Sequence, residues 1–210
     1  QWISAPGAGD ALKALFTIVP LIDPYDDLAY VGGAFQLQVM MGWGSGTAGS
    51  GAARGWTRDD WLRALPLCTW DMAIDRRVPF LRDWVAHPRF DDFWRRSSIR
   101  GLEKDITAPI YTAGGWYDLY SKSVFDHFTA VRAGSPSARA RRHQHILMGP
   151  WMHGINRSQK VGDVDFGPDS LVDLDGIRNA WFDRWLKGHP NSVDSRSEER
   201  RVGKECRSRW

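Results

Sequence analysis

Cysteine is scarce. Cys68 and Cys206 are the two in 210 residues, too few for a disulfide scaffold or a four-cysteine zinc site. No run of 18 apolar residues occurs, so nothing reads as a membrane-spanning helix and no membrane partner is expected. Neither sign of charge dominates. The 28 Lys and Arg against 25 Asp and Glu leave +3, and residues 194–210 alone hold 6 basic and 4 acidic side chains. That balance gives little reason to expect a nucleic-acid partner. The chain has neither an initiator Met nor a charged-then-apolar leader, and it opens at Gln1-Trp2-Ile3 as if inside an element. A signal peptide upstream therefore stays open, and the compartment and oligomeric state are unassigned. What the chain does have is a globular composition, 42% hydrophobic and 25% charged. This excludes a disordered chain, a coiled coil and a collagen-like fibre. Twelve tryptophans against five tyrosines is the unusual count, and tryptophan often lines pockets and interfaces.

Three short runs read as buried strands: Ala14 to Val19, Pro109 to Ala113, and His145 to Met148. Each is apolar on both faces and stopped by Gly or Pro, as central parallel strands are. Between the last two, Val124, Phe125, Phe128 and Val131 recur at helical spacing, and Gly134-Ser135-Pro136 closes the pattern. Strand, helix, strand is a βαβ unit, which implies a parallel sheet. A further helix is expected over Ile177 to Lys187, where Asp183 can pair with Lys187 and Gly188 then Pro190 stop the turn. Residues 57–100 are Trp-rich, with amphipathic helices around Phe80 to Val85 and Phe90 to Trp94. They read as a cap over a site, or alternatively as helices that extend the core. Gly42 to Gly55 reads as a mobile loop and not a phosphate cradle, since no Gly-Lys-Ser/Thr occurs in it. After Pro190 the chain loses apolar periodicity, and 191–210 reads as non-native tail.

In an open α/β sheet, ligands sit beyond the carboxyl ends of the strands. Two titratable residues lie just past such ends. Asp118 comes after the second strand through Gly114-Gly115-Trp116-Tyr117, and His153 after the third through Gly149-Pro150-Trp151-Met152. The strands belong to one βαβ unit, so a carboxylate and an imidazole come to one edge of the sheet. A carboxylate held against a histidine fixes its tautomer and stabilises the imidazolium during proton transfer. Taken singly, either residue can be a structural hydrogen-bonder; the paired placement is the signal.

Gly115-Trp116-Tyr117-Asp118 and Gly149-Pro150-Trp151-x-His153 resemble the acid and histidine motifs of CocE/NonD-type serine hydrolases. These are α/β-hydrolases related to cocaine esterase and to Xaa-Pro dipeptidyl-peptidases. Asp165-Phe166-Gly167 and Trp181-Phe182-Asp183-x-Trp185 are similar to the segment after the histidine in that family, His87-Pro88-x-Phe90-Asp91-x-Phe93-Trp94 to its cap, and Val31-Gly32-Gly33-Ala34-Phe35 to the segment before the cap. The resemblance covers about residues 1 to 190. It implies that Asp118 is the acid and His153 the general base of a Ser-Asp-His triad, with no metal or organic cofactor. One departure is large. No serine and no cysteine has glycine at both −2 and +2, so the strained Gly-x-Ser-x-Gly elbow of such enzymes is absent. The nucleophile is expected upstream of Gln1, and the family's carboxy-terminal jelly-roll domain is missing as well.

The expected fold is therefore α/β, a partial α/β-hydrolase sheet of parallel strands with crossover helices and an inserted helical cap. Residues 1–56 and 106–190 form the core, 57–105 the cap and 191–210 the tail. The expected function is cleavage of a small ester or amide, with a proline-specific dipeptidyl-peptidase as alternative. A non-catalytic aromatic-rich module, of the kind that binds carbohydrate, is the alternative of another class. Trp70, Trp84, Trp116 and Trp151 are candidate substrate contacts. Three features carry weaker signals. His143-x-His145 could hold zinc, but Arg139, Arg141 and Arg142 beside it repel a cation. The acid-free stretch from His127 to Gly162 reads as a solvated face before it reads as a phosphate site. Asp23, past the first strand, reads as a helix N-cap before it reads as a substrate contact.

Overall fold

The computed structural model describes residues 2–47, 58–74, 77–193 and 198–199. The chain divides into two compact units, one of Gln1–Ile22 with Ile99–Trp210, the other of Asp23–Ser98.

The first unit is α/β. Strands β1 (Leu15–Ile18), β2 (Ile110–Gly115) and β3 (Gln144–Gly149) pair in parallel in that order. Leu15 faces Ile110 across the first ladder, and Ile110 faces Gln144 across the second. Alternation along the strands separates two apolar layers. Leu15 and Ile110 join Trp2, Ile22, Ile99, Ile106 and Val131 on one face. Phe16, Tyr111, Ala113 and Leu147 join Trp151 and Trp181 on the other. Two threonines lie among the buried residues, and each has a partner. Thr17 and Thr112 stand opposite one another with hydroxyls 2.9 Å apart, and the Trp2 indole donates to Thr17 at 3.3 Å. Satisfied in this way, they escape the penalty of an unpaired polar group.

Helix α5 (Ser121–Gly134), followed by the short α6 (Ala138–Arg142), makes the crossover from β2 to β3. Its buried stripe is Val124, His127 and Val131, whereas Phe125 and Phe128 are half-buried. Helix α7 (Leu174–Leu186) covers the opposite face. Trp181 on α7 is fully buried and donates its indole N–H to the Leu15 carbonyl at 2.8 Å. The expected Asp183–Lys187 pair forms at 2.6 Å, and Gly188 ends the helix at φ +72°. Short strands β4 (Lys160–Val161) and β5 (Val164–Asp165) form a hairpin after β3. In the stretch expected to be tail, Glu198–Glu199 forms a two-residue strand, β6, paired with Leu147 and Met148 of β3. Among the described residues, no helix is long and apolar enough to cross a membrane.

The second unit is helical, with α2 (Arg58–Arg63) among its helices. The expectation of a mobile loop from Gly42 is corrected for its first six residues. α1 (Leu37–Thr47) runs through Gly42, Gly44 and Gly46, while 48–55 lie outside the described residues. Gly44 and Gly46 do share the Gly-x-Gly-x-x-Gly spacing with Gly49, but both sit inside a helix rather than in a strand-to-helix turn. Glycine costs about 1 kcal/mol in a helix interior. Burial of Met40 and Met41 offsets that cost. At Gly44 the lack of a side chain also permits close packing, since a Cβ there would stand 3.3 Å from Leu81. Leu81 belongs to α3 (Pro79–Ala86), which begins with Pro at its first turn. Asp23 caps the turn after it, accepting from the Tyr25 and Asp26 amides at 3.0 and 3.4 Å.

Asp71 is a buried carboxylate of this unit. It takes three hydrogen bonds of 2.7–2.9 Å from Arg82 and one of 2.6 Å from the Val78 amide ahead of α3. Burial pushes its carboxyl up. The hydrogen bonds from Arg82 and Val78, with the Arg82 charge, outweigh that push and hold it below the ordinary carboxylate range. A depressed folded value stabilises the protein above the unfolded carboxylate pKa, and the gain is lost as pH falls through the folded value. Asp71→Asn is therefore expected to cost about 1.5–3 kcal/mol at pH 7, at the low end because Arg82 is one-third exposed. The gap between wild type and variant in urea unfolding should narrow below about pH 4.

Candidate active site

Beyond the carboxyl ends of β2 and β3, two loops dock against each other. The Trp116 amide donates to the Gly149 carbonyl at 2.9 Å, and the Tyr117 amide to the Trp151 carbonyl at 3.1 Å. The approach is close enough to require glycine on both sides. A Cβ on Gly115 would lie 2.1 Å from the Trp151 carbonyl oxygen, and one on Gly149 2.3 Å from the Trp151 ring. Neither glycine has a positive φ, so space, not backbone freedom, is what the position demands. The Trp151 ring is buried against the sheet and donates to the Ser170 carbonyl at 2.9 Å.

This docking carries Asp118 and His153 to the same end of the sheet. His153 Nδ1 stands 2.7 Å from Asp118 Oδ2. The other carboxylate oxygen, Oδ1, accepts from the Tyr120 amide at 2.6 Å, an Asx turn that leads into α5. The two side chains differ sharply in exposure, 1% for Asp118 and 56% for His153. The carboxylate is held within the protein, and the imidazole uses Nδ1 for this contact, leaving Nε2 outside it. The Tyr120 ring meets the imidazole edge-on, with centroids 5.4 Å apart and planes at 79°. Tyr120 is a site neighbour that periodicity does not reveal. The available signal is the Asp118-x-Tyr120 spacing ahead of a helix.

A depression of about 330 Å³ adjoins His153, lined by Met152, Gly154, Ser158 and Lys160 as well. The Ser158 hydroxyl is engaged in its own turn, with the Lys160 amide at 2.9 Å and carbonyl at 3.1 Å. Depressions of about 370 and 400 Å³ lie beside Asp173 and beside His87. Size therefore does not single out one of the three.

Trp151 packs beneath the dyad loops. Trp116 is 45% exposed and stacks on Phe125 at 5.2 Å. Trp70 and Trp84 belong to the second unit, Trp70 fully buried and Trp84 stacked on Trp43 at 5.8 Å. His143 and His145 pack against α7, His143 on Trp185 at 4.9 Å and His145 on Trp181 at 5.6 Å. Among the described residues, no three His, Cys, Asp or Glu side chains gather as metal ligands. Arg139 lies over Trp185, and Arg141 donates to the Ser135 carbonyl.

A second histidine–carboxylate pair shows why placement matters more than the bond. His87 Nδ1 is 2.7 Å from Asp91 Oδ2, the same length. That imidazole lies flat on Phe93, with centroids 4.4 Å apart, and Asp91 caps the short helix α4 (Asp92–Arg95). The bond to His87 leads the causes that hold the Asp91 carboxyl below its ordinary range. The pair closes a local turn, whereas Asp118 and His153 are 35 residues apart and meet only through the sheet.

The X-Pro dipeptidyl-peptidase (S15 family) model matches residues 1–155, which include Asp118 and His153. No curated protein matches the chain. Among solved structures, the chain is similar to an aminopeptidase from a marine sediment Thaumarchaeota archaeon, with TM-score 0.65 and 23% identity. The match covers 90% of this chain and 33% of that one, so the chain spans about a third of that protein's length. At this identity the likeness shows a shared fold.

Gly115→Ala should part the docked loops. A stability loss of about 1–3 kcal/mol is expected. A crystal structure of the variant should show the Asp118–His153 separation beyond hydrogen-bonding distance.

Proposed function

This chain belongs to the X-Pro dipeptidyl-peptidase (S15) family, and on that footing we propose that it carries the acid and base of a serine peptidase triad, Asp118 and His153. The observation behind the reading is the 2.7 Å bond between a buried carboxylate and a half-exposed imidazole at the carboxyl end of a parallel sheet. In the reaction, Nε2 of His153 takes the proton of a serine hydroxyl as its oxygen attacks the carbonyl carbon of an amide or ester. The same proton passes to the leaving nitrogen or oxygen as the tetrahedral intermediate collapses. Asp118 accepts from Nδ1–H, so the tautomer with Nε2 unprotonated is the one held ready, and the carboxylate stabilises the imidazolium once it forms. No serine of this chain has elbow spacing, and we assign the nucleophile to the protein of which the chain is a part. A peptide or small acyl compound is the proposed substrate class. The peptidase reading is favoured over the esterase reading by the family model and by the peptidase name of the structural neighbour.

Two measurements test this. The 210-residue chain alone should hydrolyse an activated ester no faster than free imidazole does, since removal of the nucleophile leaves only residual catalysis. Stoichiometric labelling of it at one serine by a fluorophosphonate would refute the assignment. In the longer protein, His153→Ala should lower kcat for an X-Pro amide by a factor on the order of 10³ or more, with KM little changed. Activity within a fewfold of wild type would remove His153 from the triad.

A further inference from the structure

We propose that Tyr120 is the positioning residue of the dyad, holding the imidazole plane through its ring and the carboxylate through its backbone; this rests on the Asp118–His153 reading above. One residue reaches both partners by different groups. Its amide donates to Asp118 Oδ1 at 2.6 Å, and its ring abuts His153 edge-on at 5.4 Å.

The two partners need this to different degrees. Asp118 is buried and its two oxygens are each engaged, one by an amide and one by the imidazole. His153 is more than half exposed, with Asp118 as its hydrogen-bond partner among the described residues. One hydrogen bond fixes a distance but leaves the imidazole free to tilt about it and to turn out into solvent. An aromatic ring set at 79° to the imidazole limits that freedom, because edge-to-face pairs favour one relative orientation.

The position of the Tyr120 ring is set by rigid parts. Tyr120 is the residue at which α5 begins, and α5 is anchored on the sheet by Val124 and Val131. The Tyr120 amide is also tied to the strand end, through Asp118 and Gly115. A tyrosine here is a poor choice for the helix itself. Helix starts favour Ser, Thr, Asp or Asn, and the Tyr120 side chain makes no cap hydrogen bond. A local rule broken at a site is what a functional demand on that position produces.

The test is NMR on the 210-residue chain with labelled histidine, reading the His153 Nδ1–H proton and its exchange with water. In wild type that proton should be strongly downfield and slow to exchange. Tyr120→Phe keeps the ring and should leave both unchanged. Tyr120→Leu and Tyr120→Ala should speed exchange roughly 2- to 12-fold, the factor that loss of an edge-to-face pair implies. Leucine retains bulk, so it carries the test if the alanine variant fails to fold. A residue that serves packing alone would lower the thermal midpoint and leave the His153 proton as it was. Exchange in the leucine variant as slow as in wild type, or as fast in the phenylalanine variant as in the leucine variant, would overturn the inference. Failure of the dyad itself looks different: wild type would then show no Nδ1–H proton that Asp118→Asn abolishes.

Discussion

Two hydrogen bonds of about 3 Å, from the Trp116 and Tyr117 amides to the Gly149 and Trp151 carbonyls, hold the loops after β2 and β3 against each other. Asp118 and His153 are close because those loops are. The contact tolerates no side chain at Gly115 or Gly149, since Trp151 fills the space a Cβ would need. Its geometry is also inherited from the sheet. β2 and β3 pair in register through their last residues, Gly115 opposite Gly149, so the two loops leave the sheet at the same level. A register slip of one residue would change both the level and the face from which each loop departs. The geometry of the Asp118–His153 pair thus depends on a ladder of backbone hydrogen bonds more than on any side-chain choice in the loops.

Trp151 serves two ends. Its carbonyl receives the Tyr117 amide, and its ring is buried in the layer shared with Tyr111, Leu147 and Trp181. A loop anchored by so large an apolar group is hard to displace, because re-exposing about 150–250 Å² of aromatic surface costs about 25 cal/mol per Å². The histidine two residues later can then be more than half exposed without the loop itself being loose. This division between a buried anchor and an exposed side chain recurs across the dyad, where Asp118 is hidden and His153 is open.

The aromatic excess divides by unit. In the first unit, tryptophan is largely packing: Trp2, Trp151 and Trp181 each bury the ring and send the indole N–H to an internal acceptor. In the second unit the rings gather on one another, with Trp84 against Trp43, Phe80 and Trp94, and with Tyr30 and Tyr25 against Trp94. Trp43 is half-exposed within that cluster. Aromatic edges and faces in contact define orientations that aliphatic packing leaves open, so this helical unit is ordered by rings while the first is ordered by a sheet.

Much of this was legible in the amino-acid sequence. Double-faced apolar runs closed by Gly or Pro marked the three strands to within about a residue or two, since burial on both faces leaves no polar alternation to misread. The helical spacing around Val124 and Val131 marked the crossover, and the placement of Asp118 and His153 just past two strands marked the dyad. Other features became visible only in three dimensions. Gly42 to Thr47 has the composition of a loop, yet it is helical because Met40 and Met41 are buried and Leu81 packs on Gly44. His87–Asp91 and Asp118–His153 are bonds of equal length, and only the sheet distinguishes a turn-closing pair from one assembled across 35 residues. Tyr120 carries no periodic signal at all; its contact with His153 arises where a helix start and a strand end meet. Local sequence determined which segments become strands and helices, because that choice rests on the period of apolar residues along the chain. Which side chains touch was decided by tertiary packing, because contact depends on register and on the space a missing Cβ leaves, and neither is a property of any single segment.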